Sequence, residues 1–180
     1  MKKLFLIVAV AFFAISVNAQ IKLGANLGLS LPTGDFADAC KTGFGGSIMG
    51  KYAFSDKMAV GLNIGYYANK AKDGVGGSDV TFSYTPITAS FQYFLGTEGF
   101  KPYVGADLGF YAAKFKVSSV SVSQTVFGFA PVVGFEYGLS ESLSLDVNAK
   151  YHLVSKASDI SDKAFNFVGI NVGILYSLGK

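Results

Sequence analysis

The sequence contains no tryptophan, no arginine, one cysteine and one histidine in 180 residues, and only 15% of its residues are charged. Soluble globular domains carry roughly 25% charged residues, so this chain has too few to cover an ordinary water-exposed surface. Its fifteen lysines are offset by twelve acids, which leaves no basic excess of the kind that nucleic-acid binding requires. One cysteine cannot form an internal disulfide, and one cysteine with one histidine cannot build a zinc site. We therefore expect no nucleic-acid partner, no metal and no other cofactor.

Only the amino terminus has a long, unbroken apolar run. The segment MKKLFLIVAVAFFAISVNA begins with two lysines, is apolar over residues 4–15 and ends on Val17-Asn18-Ala19. This order is typical of a secretory signal peptide, and the run is shorter than the roughly 20 residues that a membrane-spanning helix needs. We predict cleavage between Ala19 and Gln20, so that residues 1–19 are a signal peptide and residues 20–180 form one domain.

After the leader, apolar and polar residues alternate with period two, which is typical of strands. In the segment 20–31 the leucines share one face, and the other face is mostly glycine, asparagine and serine. The apolar set of the fourth run changes parity across Pro86, which predicts a β-bulge near Thr85-Pro86. The eight predicted strands are about 20–31, 43–54, 58–69, 80–95, 102–115, 125–139, 143–154 and 165–178.

The segments that connect these strands alternate in length. The short ones are 55–57, 96–101 and 140–142, and the longer ones are 32–42, 70–79, 116–124 and 155–164. Outer-membrane barrels have this asymmetry, with short periplasmic turns and longer extracellular loops. We predict an all-β, eight-stranded antiparallel up-and-down transmembrane β-barrel with both termini in the periplasm, and the alternative is a secreted lipocalin-like or sandwich domain. The long loops, including Phe36 and Cys40 in the first, are expected to be solvated and mobile.

In such a barrel the leucine face of the first strand meets lipid, and the small polar face fills a lumen too narrow for a wide pore. Aromatic residues near the ends of the lipid-facing sides predict two girdles at the membrane interfaces. The girdle near the short turns is Tyr52, Phe54, Tyr93, Tyr137 and Tyr176, and the girdle near the long loops is Phe44, Tyr66, Phe82, Phe110, Phe127 and Tyr151.

Charged and amide side chains on lumen-facing positions are the best candidates for a functional site. They are Lys51, Asn63, Asp107, Glu136, Asp146, Asn148, Lys150 and Asn171, with Asn26 near them. The set is either a hydrogen-bonded plug that fixes the register or a selectivity or proton-relay set, and the narrow lumen favours the plug. A serine hydrolase is disfavoured because His152 and Ser155 are three positions apart and point to opposite faces of a strand. We expect His152 to be a polar residue at the rim of the lumen.

Several stretches carry a resemblance to a known family: GLSLPTGDF, KYAFSDKMAVGLNIGYY, KPYVGADLGFY, VGFEYGLSESLSLDVNAKYH and the closing GINVGILYSLG. Residues 20–180 resemble the small outer-membrane β-barrels of Bacteroidetes-type bacteria, which share their architecture with OmpX and the transmembrane domain of OmpA. One departure is that four residues follow Tyr176, whereas such barrels often end on an aromatic residue.

The resemblance implies an integral outer-membrane protein of the Gram-negative cell envelope. It implies a monomer surrounded by outer-membrane lipid, which periplasmic chaperones and the barrel-assembly machinery insert. The implied role is structural, or one of surface display and interaction with an extracellular partner through the loops, without enzymatic activity. The alternatives are a narrow, porin-like channel for small solutes and a lipid-modifying enzyme.

Overall fold

The protein folds into one closed antiparallel barrel. The structure is a computed structural model, which describes residues 20–72, 80–117, 120–156 and 164–178. Each strand pairs with its neighbours in sequence, and β1 also pairs with β8. The prediction of an all-β, eight-stranded antiparallel barrel is confirmed, whereas the predicted signal peptide lies outside the described residues. The elements are β1 (Gln20–Pro32), α1 (Asp35–Ala39), β2 (Gly43–Ser55), β3 (Met58–Lys70), β4 (Val80–Phe94), β5 (Phe100–Val117), β6 (Val120–Gly138), β7 (Leu143–Val154) and β8 (Phe167–Ser177).

The two ends of the barrel differ in their connections. One end, which we call the terminal end, carries the start of β1, the end of β8 and the three short turns that follow β2, β4 and β6. The other end, which we call the loop end, carries α1 and the connections that follow β3, β5 and β7. In an antiparallel meander, successive connections lie at opposite ends of the barrel. The short connections therefore all lie at the terminal end, and the connections predicted to be long all lie at the loop end.

Most of the segment predicted as the third connection at the loop end lies in strands. Strands β5 and β6 have 18 and 19 residues, and the other strands have 11 to 15. Their pairing continues until Val117 lies opposite Val120. The prediction of a loop over 116–124 is therefore wrong, because the alternating valines and serines of this segment continue the hairpin, and β-branched residues favour extended backbone.

The predicted β-bulge at Thr85-Pro86 is absent. Ile64 pairs with Ile87, and Tyr67 pairs with Tyr84, so the register between β3 and β4 is the same on both sides of the proline. The ladder is interrupted at Pro86, which has no N–H to donate, but no residue is gained or lost. The predicted change of parity is therefore wrong, and the residues on both sides of Pro86 keep one alternation.

Large apolar side chains cover the outside of the barrel. On β1 the residues Leu23 and Leu27 are exposed outward, whereas Asn26 and Ser30 are buried in the lumen. This distribution inverts that of a soluble protein, in which large apolar side chains are mostly inside. Among the described residues, no helix is long and apolar enough to cross a membrane.

A charge placed on the outward face of β3 tests this inside-outside assignment. Leu62 lies near the middle of β3 and is 67% exposed. We expect Leu62→Arg to lower the free energy of unfolding in phospholipid vesicles by about 2–4 kcal/mol, because it places a charge near the middle of the bilayer. Thr81→Arg, outward-facing at the loop end, is the control and should change the free energy by less than about 1 kcal/mol. Equal losses in the two variants would contradict the assignment.

Candidate functional site

The lumen near the terminal end is crossed by buried ion pairs. Lys51 on β2 donates to Asp146 Oδ2 on β7 at 2.6 Å and to Glu136 Oε1 on β6 at 3.0 Å. Lys22 on β1 donates to the other carboxylate oxygen of Glu136 at 2.6 Å. Strands β2 and β6 are diametrically opposite in a ring of eight, so the bond between Lys51 and Glu136 spans the lumen.

Amide and phenol groups extend these ion pairs towards the loop end. Asn148 Nδ2 donates to Asp146 Oδ1 at 2.6 Å, and Asn171 Nδ2 donates to Asn148 Oδ1 at 3.0 Å. The Tyr67 hydroxyl donates to Asn171 Oδ1 at 2.7 Å, and the Tyr103 hydroxyl lies 3.2 Å from both oxygens of Asp146. The result is one continuous hydrogen-bonded network from Lys22 to Tyr67.

A separate ion pair joins β5 and β7. Lys150 Nζ lies 2.6 Å from Asp107 Oδ2, and the Asp107 side chain is 4% exposed. With this pair included, the ion pairs among the described lumen residues join three lysines with three carboxylates, so their formal charges cancel. Asn63 is also buried in the lumen, but the network described above does not include it.

The structure thus places all eight sequence-predicted lumen residues inside the barrel and brings five of them into the network. Lys22, Tyr67 and Tyr103 are the partners that the sequence analysis missed. The parity of Lys22 on β1 already placed it on the lumen face. The tyrosines gave a weaker signal, because alternation alone does not separate a tyrosine that fills a lumen from one at a membrane interface.

Glycines make room for the tyrosine rings of the lumen. Gly45 lies opposite Tyr67 on the neighbouring strand, and a Cβ on Gly45 would lie 2.4 Å from Tyr67 Cδ1. Gly134 lies opposite Tyr103, and a Cβ there would lie 2.8 Å from Tyr103 Cζ. The small lumen-facing residues that mark the sequence are therefore the complement of large rings on adjacent strands.

The half of the lumen near the loop end is apolar and aromatic. Phe82 lies 4.6 Å from Phe165, and Tyr84 lies 4.5 Å from Phe167, measured between ring centroids. His152 stacks on Phe167 at 4.2 Å, and its Nδ1 lies 2.7 Å from the Tyr111 hydroxyl. These rings fill the barrel between the polar network and the first loop.

Two placements of aromatic residues correct the sequence analysis. Phe82, predicted in the outward girdle, is 3% exposed and faces the lumen, because β4 keeps one parity across Pro86. His152, expected at the polar rim of the lumen, is buried among rings. The other predicted girdle residues lie on the outward face, and all of them except Tyr52 and Phe54 are exposed there: Tyr93, Tyr137, Tyr176, Phe44, Tyr66, Phe110, Phe127 and Tyr151.

The first loop folds over the lumen and closes it. Phe36, in helix α1, is 4% exposed and packs edge-on against Phe82 at 4.9 Å between ring centroids. The backbone N–H of Lys41 donates to the carbonyl of Lys70, and that of Lys72 donates to the carbonyl of Ala39. The loop is therefore attached to the end of β3, and the prediction that Phe36 lies in a solvated loop is wrong.

Cys40 follows α1 and is buried in the same closure. Burial raises the pKa of its thiol from 9.0 to about 11, although the nearby Lys72 acts in the opposite direction. The thiolate is the reactive form of cysteine, so this thiol is protonated and unreactive near neutral pH. Among the described residues, no group of three His, Cys, Asp or Glu side chains is arranged to hold a metal ion.

A closed barrel with apolar outward faces, interface aromatics and a filled polar lumen is the architecture of small outer-membrane proteins. A family model for the outer membrane protein beta-barrel domain matches residues 5–177. The chain belongs to this family. It is an integral β-barrel protein of the outer-membrane class, as the sequence resemblance implied.

The chain is similar to one known protein by sequence and to two others by structure. A protein of Haemophilus influenzae is 24% identical over 185 residues, which cover 98% of this chain and 99% of that protein. Neisserial surface protein A has a TM-score of 0.68 and 21% identity, covering 88% of this chain and 98% of its own. Ail, the attachment invasion locus protein of Yersinia pestis, solved in complex with the heparin analogue sucrose octasulfate, has a TM-score of 0.57 and 20% identity, covering 89% and 97%. At these identities the structural matches show a shared fold.

Removing the central lysine tests the energetic weight of the network. We expect Lys51→Met to lower the free energy of unfolding in detergent micelles by about 3–5 kcal/mol, because it leaves the buried carboxylates of Glu136 and Asp146 without their shared partner. Lys57→Met, in the exposed turn that follows β2, is the control and should have an effect near zero. A loss below about 1 kcal/mol in Lys51→Met would show that the network does not stabilise the barrel.

Proposed function

We propose that the protein is a closed outer-membrane barrel with a structural and surface-recognition role, in which the loop end makes the contacts. The observation that carries this proposal is that side chains fill the lumen along its length. The polar network occupies the half near the terminal end, and the aromatic rings occupy the half near the loop end. The proposal assigns no enzymatic activity and no solute transport.

Solvent exposure supports a closed lumen. Asp146 is 0% exposed, and Asn171 and Tyr103 are each 1% exposed. A water-sized sphere does not reach these side chains, although they lie at the centre of the polar network. A solute would have to break the bonds of Lys51 before it could pass, and unpaired buried charges cost several kcal/mol.

The loop end supports a recognition role because it presents an ordered surface. Helix α1 is fixed by the packing of Phe36 against the rings of the lumen and by backbone hydrogen bonds between the residues at the end of the helix and those at the end of β3. Asp35 and Asp38 of the same helix are exposed. The far ends of β5 and β6 lie at the same end of the barrel. Residues on ordered loops above a rigid scaffold are well suited to binding, and Ail shows that a barrel of this fold is found with a bound heparin analogue.

The orientation that this role requires places the loop end outside the cell and both termini in the periplasm. Three features support this orientation: the predicted leader precedes a strand that starts at the terminal end, the number of strands is even, and the short turns lie at that same end. Cleavage between Ala19 and Gln20 belongs to the same proposal.

Among the side chains that the structure describes, the interior offers no arrangement that favours catalysis. The single histidine is engaged by Tyr111 and stacked on Phe167, so its ring is not free to activate a serine. The lumen carboxylates are likewise paired with lysines. These contacts support a structural role for the lumen residues.

Planar-bilayer recording separates the closed barrel from a channel. We expect the refolded protein to show no steady conductance, because the network and the aromatic rings block the lumen. Gly50→Ala is the control for a substitution in the lumen, because its added Cβ lies on the outward face and meets only an ordinary contact of 3.5 Å. Steady conductance in the wild-type protein, with an ion selectivity that Asp107→Asn changes, would overturn the proposal in favour of a channel.

Labelling of intact cells tests the exposed face. In a Cys40→Ala background, we expect Asp38→Cys to react with a membrane-impermeant maleimide in intact cells, because Asp38 is exposed at the loop end. Asp56→Cys, exposed in a turn at the terminal end, should react only after the outer membrane is permeabilised. The reverse pattern would place the loop end in the periplasm and contradict the recognition role.

A further inference from the structure

The outward faces of the eight strands carry charge in only one region. Their positions are apolar, aromatic, small or hydroxyl-bearing except for three lysines, which are Lys70 on β3 and Lys114 and Lys116 on β5. All three are exposed and lie at the loop end. No acidic residue occupies an outward position in any of the eight strands, and none of the ion pairs among the described residues involves these lysines.

The strand register places the lysines side by side among hydroxyl groups. Lys116 lies opposite Thr81 on one neighbouring strand and Ser121 on the other, and Thr81 in turn lies opposite Lys70. In the next row, Lys114 lies between Ser83 and Ser123. We call these residues the basic strip: Lys70, Thr81, Ser83, Lys114, Lys116, Ser121 and Ser123.

The height of the basic strip matches the headgroup layer of a membrane. Below it on the same strands lies an apolar row that contains Ile64, Ile87, Phe110 and Phe127. Two residues of a strand tilted by about 40° rise about 5 Å along the membrane normal. The two rows of the strip therefore lie about 10 and 15 Å above the apolar row, where hydrocarbon has given way to the headgroup layer, which is about 5–8 Å thick on each side.

We propose that the basic strip binds the phosphate groups of phosphorylated lipids in the leaflet that surrounds the loop end. The strip points away from the barrel axis, so a partner must lie beside the barrel, in the plane of the membrane. Phosphate oxygens accept hydrogen bonds from both ammonium and hydroxyl groups. The strip is also continuous with the lipid-facing surface below it, and its charge is opposite to that of the proposed ligand.

The absence of tryptophan from the chain makes a direct measurement possible. Ala112→Trp would introduce one fluorophore on the outward face of β5, one row below Lys114. Brominated phosphatidic acid in phosphatidylcholine vesicles then quenches this fluorophore according to how often it occupies the adjacent lipid site. We expect phosphatidic acid to be preferred over phosphatidylcholine several-fold, and the preference to fall with each lysine replaced by glutamine until none remains in the triple variant.

The opposite side of the barrel supplies the matched control. Val168→Trp places the fluorophore on the outward face of β8 at the loop end, and the outward faces of β8 and of its two neighbours carry no lysine. It should report no preference, with or without Lys70→Gln, Lys114→Gln and Lys116→Gln. Equal preference at the two positions, or a preference at Ala112→Trp that the triple substitution leaves unchanged, would overturn the proposal. Heat-modifiable mobility on gels establishes that each variant is folded.

Inorganic phosphate distinguishes a lipid site from a site for the free ion. A preference that persists in inorganic phosphate, relative to chloride of equal ionic strength, supports the lipid as the ligand. A preference that phosphate abolishes and chloride does not would show a free-phosphate site and overturn the proposal. These results do not depend on conductance or on which side of the membrane the loop end faces, so failure here is distinguishable from failure of the proposed function.

Discussion

Hydrocarbon offers no hydrogen-bond partner to the backbone, and the whole structure depends on this constraint. Every N–H and C=O within the membrane must pair inside the protein, so the sheet must close and leave no edge. Pairing of β1 with β8 meets this requirement. Closure with eight strands then fixes the width of the lumen, and the lumen must be filled by side chains. The inverted alternation of the sequence, with leucine outside and glycine or asparagine inside, follows from these two steps.

The lumen is filled in two chemically different ways. Near the terminal end, two lysines and two carboxylates neutralise one another, and amides and phenols bind the remaining oxygens. Near the loop end, aromatic rings exclude water by packing, and Phe36 completes the cluster from outside the barrel. Buried ion pairs contribute little net stability but strongly penalise wrong partners. We infer that the network fixes the register of the strands and that the rings supply most of the packing energy.

Much of the fold could be predicted from the sequence because closure leaves a direct periodic signal. The eight strands, the short connections and the lipid-facing side of β1 all follow from alternation with period two, whereas the loop predicted over 116–124 is mostly strand. The same signal failed on β4, where Phe82 and Tyr84 share the apolar character of lipid-facing residues although they fill the lumen. Periodicity predicts which residues of a strand share a face. It does not predict whether an aromatic face points to lipid or to the lumen, because both sides of the barrel accept aromatic rings.

Contacts between distant segments were beyond the reach of the sequence. Phe36 looked like a loop residue because its neighbours are small and acidic, and only the rings of β4 and of the segment before β8 make its burial favourable. Lys22 was placed on the correct face, but its partner is 114 residues away on β6. No local pattern encodes such a pairing, because a lysine on a lumen face can reach several strands and the choice depends on the barrel's stagger.

The filled lumen and the outward faces, which carry charge only in the basic strip, together restrict where this barrel can interact with other molecules. Inside, the polar groups of the network bind one another, and a ligand would have to replace ion pairs that are already short and desolvated. Outside, most of the surface offers only dispersion contacts to lipid tails, which do not distinguish one partner from another. Chemical specificity is therefore left to the loop end, where α1 and the β5–β6 hairpin leave charged and hydroxyl groups in contact with water and lipid headgroups. The polar interior makes that surface rigid, since the strands that carry it are tied to one another across the lumen.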